Sequence, residues 1–240
     1  MPLAPIAILR AFKYAMYFNG SNAYAVVPLS SSLEVSSVTL EVMLYRLGIV
    51  NNNNTILGMG TAAGGGLPGG AYAIFNGYGV TLTQFQVYNT SNQYKVIGFN
   101  APLNTWTHGA CTYDSSTGNA YCYQNGSLSQ SATGWAPPES SSYKNIYISY
   151  YLPFMIAYVR VYNRALSQSE IQWNYNNPDS PITDGLVLWL KADPAYIQGN
   201  TWLDLSGNGN NATLYNAQLV QLINPPIQLL PPIAILPPIA

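Results

Sequence analysis

Carboxylates are the residues of this chain that could do acid–base chemistry, since two of them held close together can cleave a glycosidic bond. The nine acidic residues are Glu34, Glu41, Asp114, Glu139, Glu170, Asp179, Asp184, Asp193 and Asp204. No two of them have the i, i+2 spacing that places neighbouring side chains on one face of a strand. We therefore predict that the protein is not an enzyme and has no catalytic residues.

The single histidine, His108, is the other residue that could serve catalysis or metal binding. A zinc site needs several His, Cys or carboxylate ligands, and the two cysteines are too few and too distant to complete one with His108. A Ser-His-Asp triad would use the same histidine, but the chain has no Gly-x-Ser-x-Gly nucleophile motif. We predict a structural role for His108.

Two cysteines, Cys111 and Cys122, flank the polar turn 113–119 between two runs of β-forming residues. If the hairpin is centred on Ser116 and Thr117, facing residues have numbers that add to 233, and the two cysteines face each other. Facing Cα atoms in an antiparallel pair lie within disulfide range. The spacing predicts a cross-strand disulfide, with two buried free thiols as the alternative.

The segment around Asp204, Ser206 and Asn208 is similar to the start of a calcium-binding loop. The bidentate acid that would complete such a loop is missing, because position 215 is Tyr. Asp, Ser, Asn and Gly are also the ordinary residues of a turn. We predict no obligatory cofactor, with calcium at this segment as the candidate.

The composition limits the partners that these residues could serve. Only 7 % of the 240 residues are charged and the net charge is −1, so eight Lys and Arg cannot form a surface for nucleic acid. The chain is nevertheless 48 % hydrophobic, which argues against disorder. A surface of neutral polar groups changes little with pH, and it suits an extracellular location, including an acidic or hot environment.

The pattern along the chain predicts an antiparallel β-sandwich with one short late helix. Apolar and polar residues alternate over 37–45, 80–88, 146–150 and 155–162, and clusters of Gly, Asn, Ser and Pro separate these runs. One helix is indicated, by a capping box from Ser167 to Glu170, and Asn177-Pro178 ends it. Many short strands and one helix are typical of an all-β sandwich.

Both ends of the chain are apolar and rich in proline. Pro-Pro recurs with a period of six at 225–226, 231–232 and 237–238, and Pro-Ile-Ala-Ile-Leu occurs at 5–9 and again at 232–236. Such segments favour extended chain, and exposed apolar surface usually marks a partner. We predict assembly arms that dock on other subunits or on lipid, with a tail folded onto its own domain as the alternative. The arm residues are Pro5, Ile6, Ile8, Leu9, Pro231, Pro232, Ile233, Ile235, Leu236, Pro237 and Pro238.

Four segments together resemble the laminin-G-like branch of the concanavalin A-like lectin and glucanase jelly rolls. They are 18–28, then 106–114 with 123–126, then 159–171, and lastly 185–190 with 204–211. The second resembles the family hairpin that begins W-x-H and ends near Y-x-D/N-G, and the third its last strand and short helix. The resemblance covers about residues 15–216 and implies a jelly-roll sandwich.

The order of these segments departs from the family pattern, because the fourth normally precedes the first. Either the domain is circularly permuted, or a second, truncated repeat begins after the helix. We predict an arm at 1–14, a sandwich body at 15–178, a permuted segment at 179–224 and a proline-rich tail at 225–240. The permuted segment would complete the sandwich of its own chain, which we favour, or that of a neighbouring subunit.

The resemblance implies glycan binding as a use of the fold. Glycan sites present aromatic faces beside neutral hydrogen-bonding groups, and the candidates near polar loops are Tyr78, Tyr88, Tyr94 and Trp135. Because the chain has 20 tyrosines, most of its aromatic side chains must pack in the core or across strands.

The leading functional hypothesis is a structural or attachment subunit of an external assembly, such as a virion surface, tail or appendage. Its partners would be other copies or subunits and cell-surface glycans. The first ten residues lack the basic region of a signal peptide, so release as part of a particle is one route out of the cell. The alternative is a secreted, monomeric carbohydrate-binding module.

Overall fold

The computed structural model describes residues 12–50, 53–59, 71–77, 79–92, 95–139 and 144–222. Within these residues, sixteen strands form two antiparallel sheets that pack face to face, and one α-helix covers part of one sheet. This architecture confirms the predicted all-β antiparallel sandwich with a short late helix. Short 3₁₀ turns lie at Ser31–Leu33, Thr90–Asn92 and Pro194–Tyr196.

Sheet A contains eight strands. In spatial order they are β16 (Gln218–Gln221), β1 (Tyr14–Asn19), β11 (Pro153–Tyr162), β3 (Val38–Arg46), β7 (Trp106–Asp114), β8 (Asn119–Gln124) and β9 (Ser127–Ala132), with β12 (Leu186–Lys191) pairing with the second half of β11.

Sheet B also contains eight strands. In spatial order they are β13 (Ile197–Gln198), β14 (Thr201–Trp202), β15 (Ala212–Tyr215), β2 (Tyr24–Val27), β10 (Ile146–Ile148), β4 (Thr55–Met59), β5 (Tyr72–Asn76) and β6 (Thr83–Val87).

The core lies between the sheets, and strand alternation decides which side chains enter it. In β3, Leu40, Val42 and Leu44 point into the core, while the residues between them point to the outer face of sheet A. The ring of Phe99 lies directly against the backbone of Gly109, and a Cβ at this position would meet the Phe99 Cζ at 1.9 Å. Only glycine fits this position of β7 without a shift of Phe99.

Helix α1 (Gln168–Asn176) begins at the predicted capping box. The Ser167 hydroxyl accepts a hydrogen bond from the Glu170 backbone N–H, and the Glu170 carboxylate accepts one from the Ser167 backbone N–H at 2.8 Å. The Glu170 carboxylate also pairs with both terminal nitrogens of Arg164, and these hydrogen bonds lower its pKa to about 2. The cap therefore persists well into acid.

The segment after the helix returns to the sandwich of the same chain. Its strand β12 pairs with β11 in sheet A, β15 pairs with β2 in sheet B, and β16 pairs with β1. Within one chain, this segment thus pairs with strands of both sheets, and whether it completes its own sandwich or that of a neighbouring subunit in an assembly stays a prediction. Both sheets need this segment, since its strands include β12 and β16 of sheet A and the β13–β15 end of sheet B.

The two ends of the described chain lie side by side at one edge of sheet A. Tyr14 faces Gln221 across β1 and β16, and the Leu222 N–H donates to the Lys13 carbonyl at 2.8 Å. Phe12 is buried and its ring lies 5.6 Å from that of Tyr158. The sandwich therefore begins before the boundary at residue 15 that the sequence suggested.

No helix in the described residues is long and apolar enough to span a membrane.

Candidate functional site

A buried charge cluster, Glu41, His108, Arg160 and Asn174, lies on the outer face of sheet A. Glu41 and Arg160 face each other across β3 and β11, and the Arg160 Nη1 donates to the Glu41 Oε1 at 2.9 Å. His108 on β7 shares the same oxygen through its Nε2 at 2.8 Å. Asn174 of α1 donates to the Glu41 Oε2 at 2.9 Å.

All four side chains of the buried charge cluster are fully buried. Burial alone would raise the pKa of the Glu41 carboxyl, but the Arg160 guanidinium and the hydrogen bond from His108 outweigh burial and hold that pKa below its usual value. The Glu41 carboxylate is therefore ionised at neutral pH, with its oxygens engaged by three donors.

The buried charge cluster joins helix α1 to sheet A. Arg160 also donates to the Pro178 carbonyl, just beyond the helix, and the Asn174 amide reaches the Tyr162 hydroxyl at 2.9 Å. The predicted structural role of His108 agrees with this position. Glu41 occupies an outward position of the alternating run 37–45, where a charged residue is ordinary, so the sequence did not predict its burial.

A second cluster, on the outer face of sheet B, consists of aromatic side chains and is open to solvent. Ala25 and Val27 of β2 enter the core, so alternation turns Tyr24 to the outer face. The same alternation turns Tyr147 outward, between Ile146 and Ile148 of β10. Tyr215 faces Tyr24 directly across β15 and β2.

Two more tyrosines, Tyr150 and Tyr151, join this cluster from the turn that follows β10. Ser149 and Tyr151 both adopt the left-handed backbone region, with φ of 50° and 52°. The turn is held on β4, because the Ser149 and Tyr150 N–H groups donate to carbonyls of Ile56 and Thr55. A bulky residue rarely adopts this conformation, and such strain is most common at functional sites.

The five rings form a continuous tyrosine cluster: Tyr24, Tyr147, Tyr150, Tyr151 and Tyr215. The Tyr24 and Tyr215 rings stack at 4.6 Å and 13°. The Tyr150 and Tyr151 rings stack at 4.2 Å and 25°. Tyr151 stands nearly perpendicular to Tyr24, at 79° and 5.8 Å, and Tyr147 meets Tyr150 edge to face at 5.4 Å. Two stacked pairs thus meet at close to a right angle.

Exposure differs along the tyrosine cluster in a way that suits binding. Tyr150 is 6 % exposed and anchors the cluster, whereas Tyr215 is 43 % exposed. Asn216 directly follows Tyr215, and its exposed amide Nδ2 donates to the backbone carbonyl of Asn22, two residues before Tyr24, at 3.1 Å. Burial, and after it the neighbouring Tyr151, raise the pKa of Tyr24, so its phenol stays neutral. Aromatic rings beside neutral amides can pack against a sugar ring and bond its hydroxyls.

The family is decided by a match of residues 19–172 to the model of the concanavalin A-like lectin/glucanases superfamily. The chain belongs to this superfamily. The match spans more than half of the chain and includes the segments over 106–126 and 159–171 that carry the resemblance.

Solved structures share this concanavalin A-like fold. A Bacteroides ovatus protein assigned as a carbohydrate-binding protein aligns with a TM-score of 0.68 and 23 % identity, over 88 % of this chain and 60 % of that one. The receptor binding domain of botulinum neurotoxin C/D mosaic serotype aligns with a TM-score of 0.53 and 14 % identity, over 69 % of this chain and 42 % of that one. The chain therefore spans three fifths or less of these proteins. No curated protein sequence matches it.

Of the four glycan-binding residues predicted for this concanavalin A-like chain, the structure describes Trp135 and Tyr88. Trp135 is 4 % exposed and stacks on Phe85 in the core at 5.8 Å, so the prediction that it presents a face to a glycan is wrong. The Trp135 ring packs in the hydrophobic core between the two sheets. Tyr88 is half-buried after β6, and its role stays a prediction. Tyr78 and Tyr94 lie outside the described residues.

The proposed calcium segment is a self-contained turn. The Asp204 carboxylate accepts hydrogen bonds from the N–H groups of Trp189, Ser206 and Asn210 and from the Ser206 hydroxyl. Asn208 donates to the Leu186 carbonyl at 3.2 Å. No group of three or more His, Cys, Asp or Glu in the described residues is arranged to hold a metal. Calcium binding at this turn stays a prediction.

Several other predicted site residues have local roles. Asp114 accepts hydrogen bonds from Ser116 and Thr117 in the hairpin turn. Cys111 and Cys122 face each other in β7 and β8 and form a disulfide. The assembly-arm residues at 5–9 and 231–238 lie outside the described residues.

The tyrosine cluster was not predicted from the sequence because its members are far apart in the chain, at positions 24, 147–151 and 215. Its only signal in the sequence was the outward strand phase of Tyr24 and Tyr147.

Proposed function

We propose that the protein is a non-enzymatic, extracellular glycan-binding module whose site is the tyrosine cluster. The observation that carries this proposal is the continuous row of five ring contacts from Tyr215 to Tyr147, partly exposed on the outer face of sheet B, with the neutral amide of Asn216 directly after Tyr215. The carbohydrate-binding assignment of the Bacteroides ovatus protein and the lectins named in the superfamily support it. The disulfide supports an oxidising location outside the cytosol.

The acidic residues support a binding role over hydrolysis. Glu41 is buried and engaged by Arg160, Glu170 caps a helix, and Asp114 and Asp204 organise turns. Each of these carboxylates is committed to a structural contact, whereas a hydrolase needs two that face one bond.

Replacing Tyr215 with Ala is expected to weaken glycan binding by about tenfold or more, because exposed aromatic anchors typically contribute over 1 kcal/mol. The measurement is binding of the full chain to an array of immobilised oligosaccharides, followed by titration of the strongest ligand. Leu128→Ala is the matched control, since Leu128 is 49 % exposed on β9 of sheet A. Equal binding by wild type and Tyr215→Ala, with unchanged thermal unfolding, would contradict the proposed site.

A second proposal is that the module is a subunit of an external assembly, such as a virion or appendage. The observation that favours it is the pairing of Tyr14 with Gln221, which places the first and the last described strands side by side at one edge of sheet A. Two arms that start side by side would act as one docking element for a neighbouring subunit or a lipid surface.

Deleting residues 225–240 is expected to leave the sandwich folded, because β16 ends at Gln221, and to abolish self-association. Light scattering of the full chain and of residues 1–224, at acid and neutral pH, measures the masses. Thermal unfolding of both forms checks the fold. If both are monomers, the assembly proposal fails and the monomeric lectin alternative stands. Sedimentation with phospholipid vesicles distinguishes lipid docking from self-association.

A further inference from the structure

We infer that the tyrosine cluster takes uncharged glycans and that it binds them with little dependence on pH or salt. This inference rests on the proposed glycan-binding function and adds the chemical class of the ligand. Acidic sugars such as sialic acid, uronates and sulfated glycans are usually held by Arg or Lys, which pair with their carboxylate or sulfate groups.

The paired cations of the described residues lie away from the tyrosine cluster. The cation–ring contacts there are those of Arg46 with Phe154 and of Arg160 with Tyr158 and Trp189, and none of these rings belongs to the cluster. The ion pairs of Arg160, Arg164 and Lys191 all involve strands of sheet A or the segments around α1. Among the described residues, the rings of the tyrosine cluster thus have no cation–ring contact with Arg or Lys.

The cation nearest to the cluster along the chain is Lys144, three residues before Tyr147. Lys144 is exposed and precedes β10, and its backbone N–H donates to the Met59 Sδ at 3.3 Å. The neighbouring groups that shift the pKa of Tyr24 and of Tyr150 are other tyrosines.

The groups that border the cluster suit hydroxyls. Asn22 and Asn216 are exposed. The Asn22 Oδ1 accepts from the Asn19 Nδ2 at 2.8 Å and the Asn216 Nδ2 donates to the Asn22 backbone carbonyl, so the Asn22 amide can offer its N–H groups and the Asn216 amide its oxygen to a sugar hydroxyl. Asn216 holds a left-handed backbone conformation, with φ of 51°, directly after Tyr215. A neutral sugar could therefore pack its C–H face on the Tyr215 ring while its hydroxyls reach these amides.

The groups described in the tyrosine cluster are phenols and amides, and their ionisation determines how glycan binding should depend on pH and salt. Phenols ordinarily ionise near pH 10 and amides do not titrate. Burial raises the pKa of Tyr24 and of Tyr150 further, so both stay neutral. Binding held by ring packing and neutral hydrogen bonds involves no ion pair for salt to screen.

The test is calorimetric titration of the full chain with matched neutral and anionic probes: lactose against sialyllactose, and cellotetraose against a galacturonate tetramer. Wild type, Tyr215→Ala and the Leu128→Ala control are compared at about pH 4.5 and about pH 7.5. The same titrations are repeated at about 0.05 M and about 0.5 M NaCl.

The expected result is that a neutral probe binds, that its Kd changes by less than about twofold across the four conditions, and that Tyr215→Ala alone weakens it about tenfold or more. Tyr215-dependent binding of the anionic probes only, or a Kd that rises steeply with salt, would overturn the ligand class while the glycan-binding function stands. If no probe or array glycan binds, or if Tyr215→Ala has no effect, the proposed site itself fails and the inference with it.

Discussion

Replacing Arg160 with Met is expected to lower the free energy of unfolding by about 3–5 kcal/mol at neutral pH. The change leaves the ionised Glu41 carboxylate fully buried without its cation, since Arg160 and Glu41 are paired at 2.9 Å and neither is exposed. His108 and Asn174 remain as hydrogen-bond donors, but a buried charge without a counter-charge is among the most destabilising defects in a protein interior. Urea unfolding curves measure the loss.

The double variant Glu41→Gln, Arg160→Met is expected to recover most of that loss. A neutral amide has no charge to compensate, and its oxygen can still accept from His108. Such a recovery would show that the uncompensated charge of the buried Glu41 carboxylate, and not only the loss of the contacts of Arg160, causes the destabilisation.

Acidification should separate wild type from Arg160→Met. In the wild type the pKa of Glu41 is lowered, so the ionised carboxylate contributes stability that is lost only as the pH falls through that lowered pKa. Without Arg160, burial becomes dominant and raises the pKa of Glu41 in the variant. The folded variant then takes up a proton more readily than the unfolded chain, so its deficit should shrink as the pH falls from about 7 towards about 4.

Lys191→Met is the matched control, because Lys191 pairs with Asp179 at 2.7 Å on the surface. Exposed pairs contribute at most about 1 kcal/mol. If Arg160→Met costs no more than Lys191→Met, the buried charge cluster does not stabilise the fold as described.

Removing the disulfide by Cys111→Ala with Cys122→Ala is expected to cost about 2–4 kcal/mol. The bond joins facing residues of β7 and β8 that are 11 positions apart and fully buried. Most of the loss should come from the greater freedom of the unfolded chain, while the two sulfur atoms removed from the core add a smaller packing loss.

Reductant provides the control for this prediction. Burial shields the bond from reductant in the folded chain, whereas the unfolded chain exposes it. At equilibrium, dithiothreitol should therefore lower the urea midpoint of the wild type and leave that of the double variant unchanged. If the double variant were as stable as the oxidised wild type, the disulfide would add no stability to the β7–β8 hairpin, and the prediction would be wrong.

The local elements of this fold could be predicted from the sequence. The hairpin of β7 and β8 has the register derived from the turn at 116–117, with Cys111 opposite Cys122. The helix begins at the Ser167 capping box and ends at Asn176. The predicted run 146–150 contains β10, and the run 155–162 lies within β11. These features depend on neighbouring residues, through turn geometry, caps and strand alternation.

The segment after residue 178 resembles strands of the family, but the sequence left open which sandwich these strands complete. Its pattern predicts strands, yet the same strands could complete the sandwich of this chain or of another. In the structure, Leu188 pairs with Val161 in sheet A and Leu214 pairs with Ala25 in sheet B, all within one chain. The strand pattern alone cannot distinguish the sheet edge of this chain from the identical sheet edge of another chain, because both offer the same pairing partners.

By itself, the sequence determined the sandwich class, the facing cysteines and the capped helix, because each follows from contacts made within a few residues or across one turn. The tertiary structure alone decided the partners of Glu41, which come from 67, 119 and 133 residues away. It also placed Trp135 in the core and brought Tyr24, Tyr147 and Tyr215 to one face. Alternation sets the face of each strand on which a side chain lies, but only the order of strands in the sheet determines its neighbours.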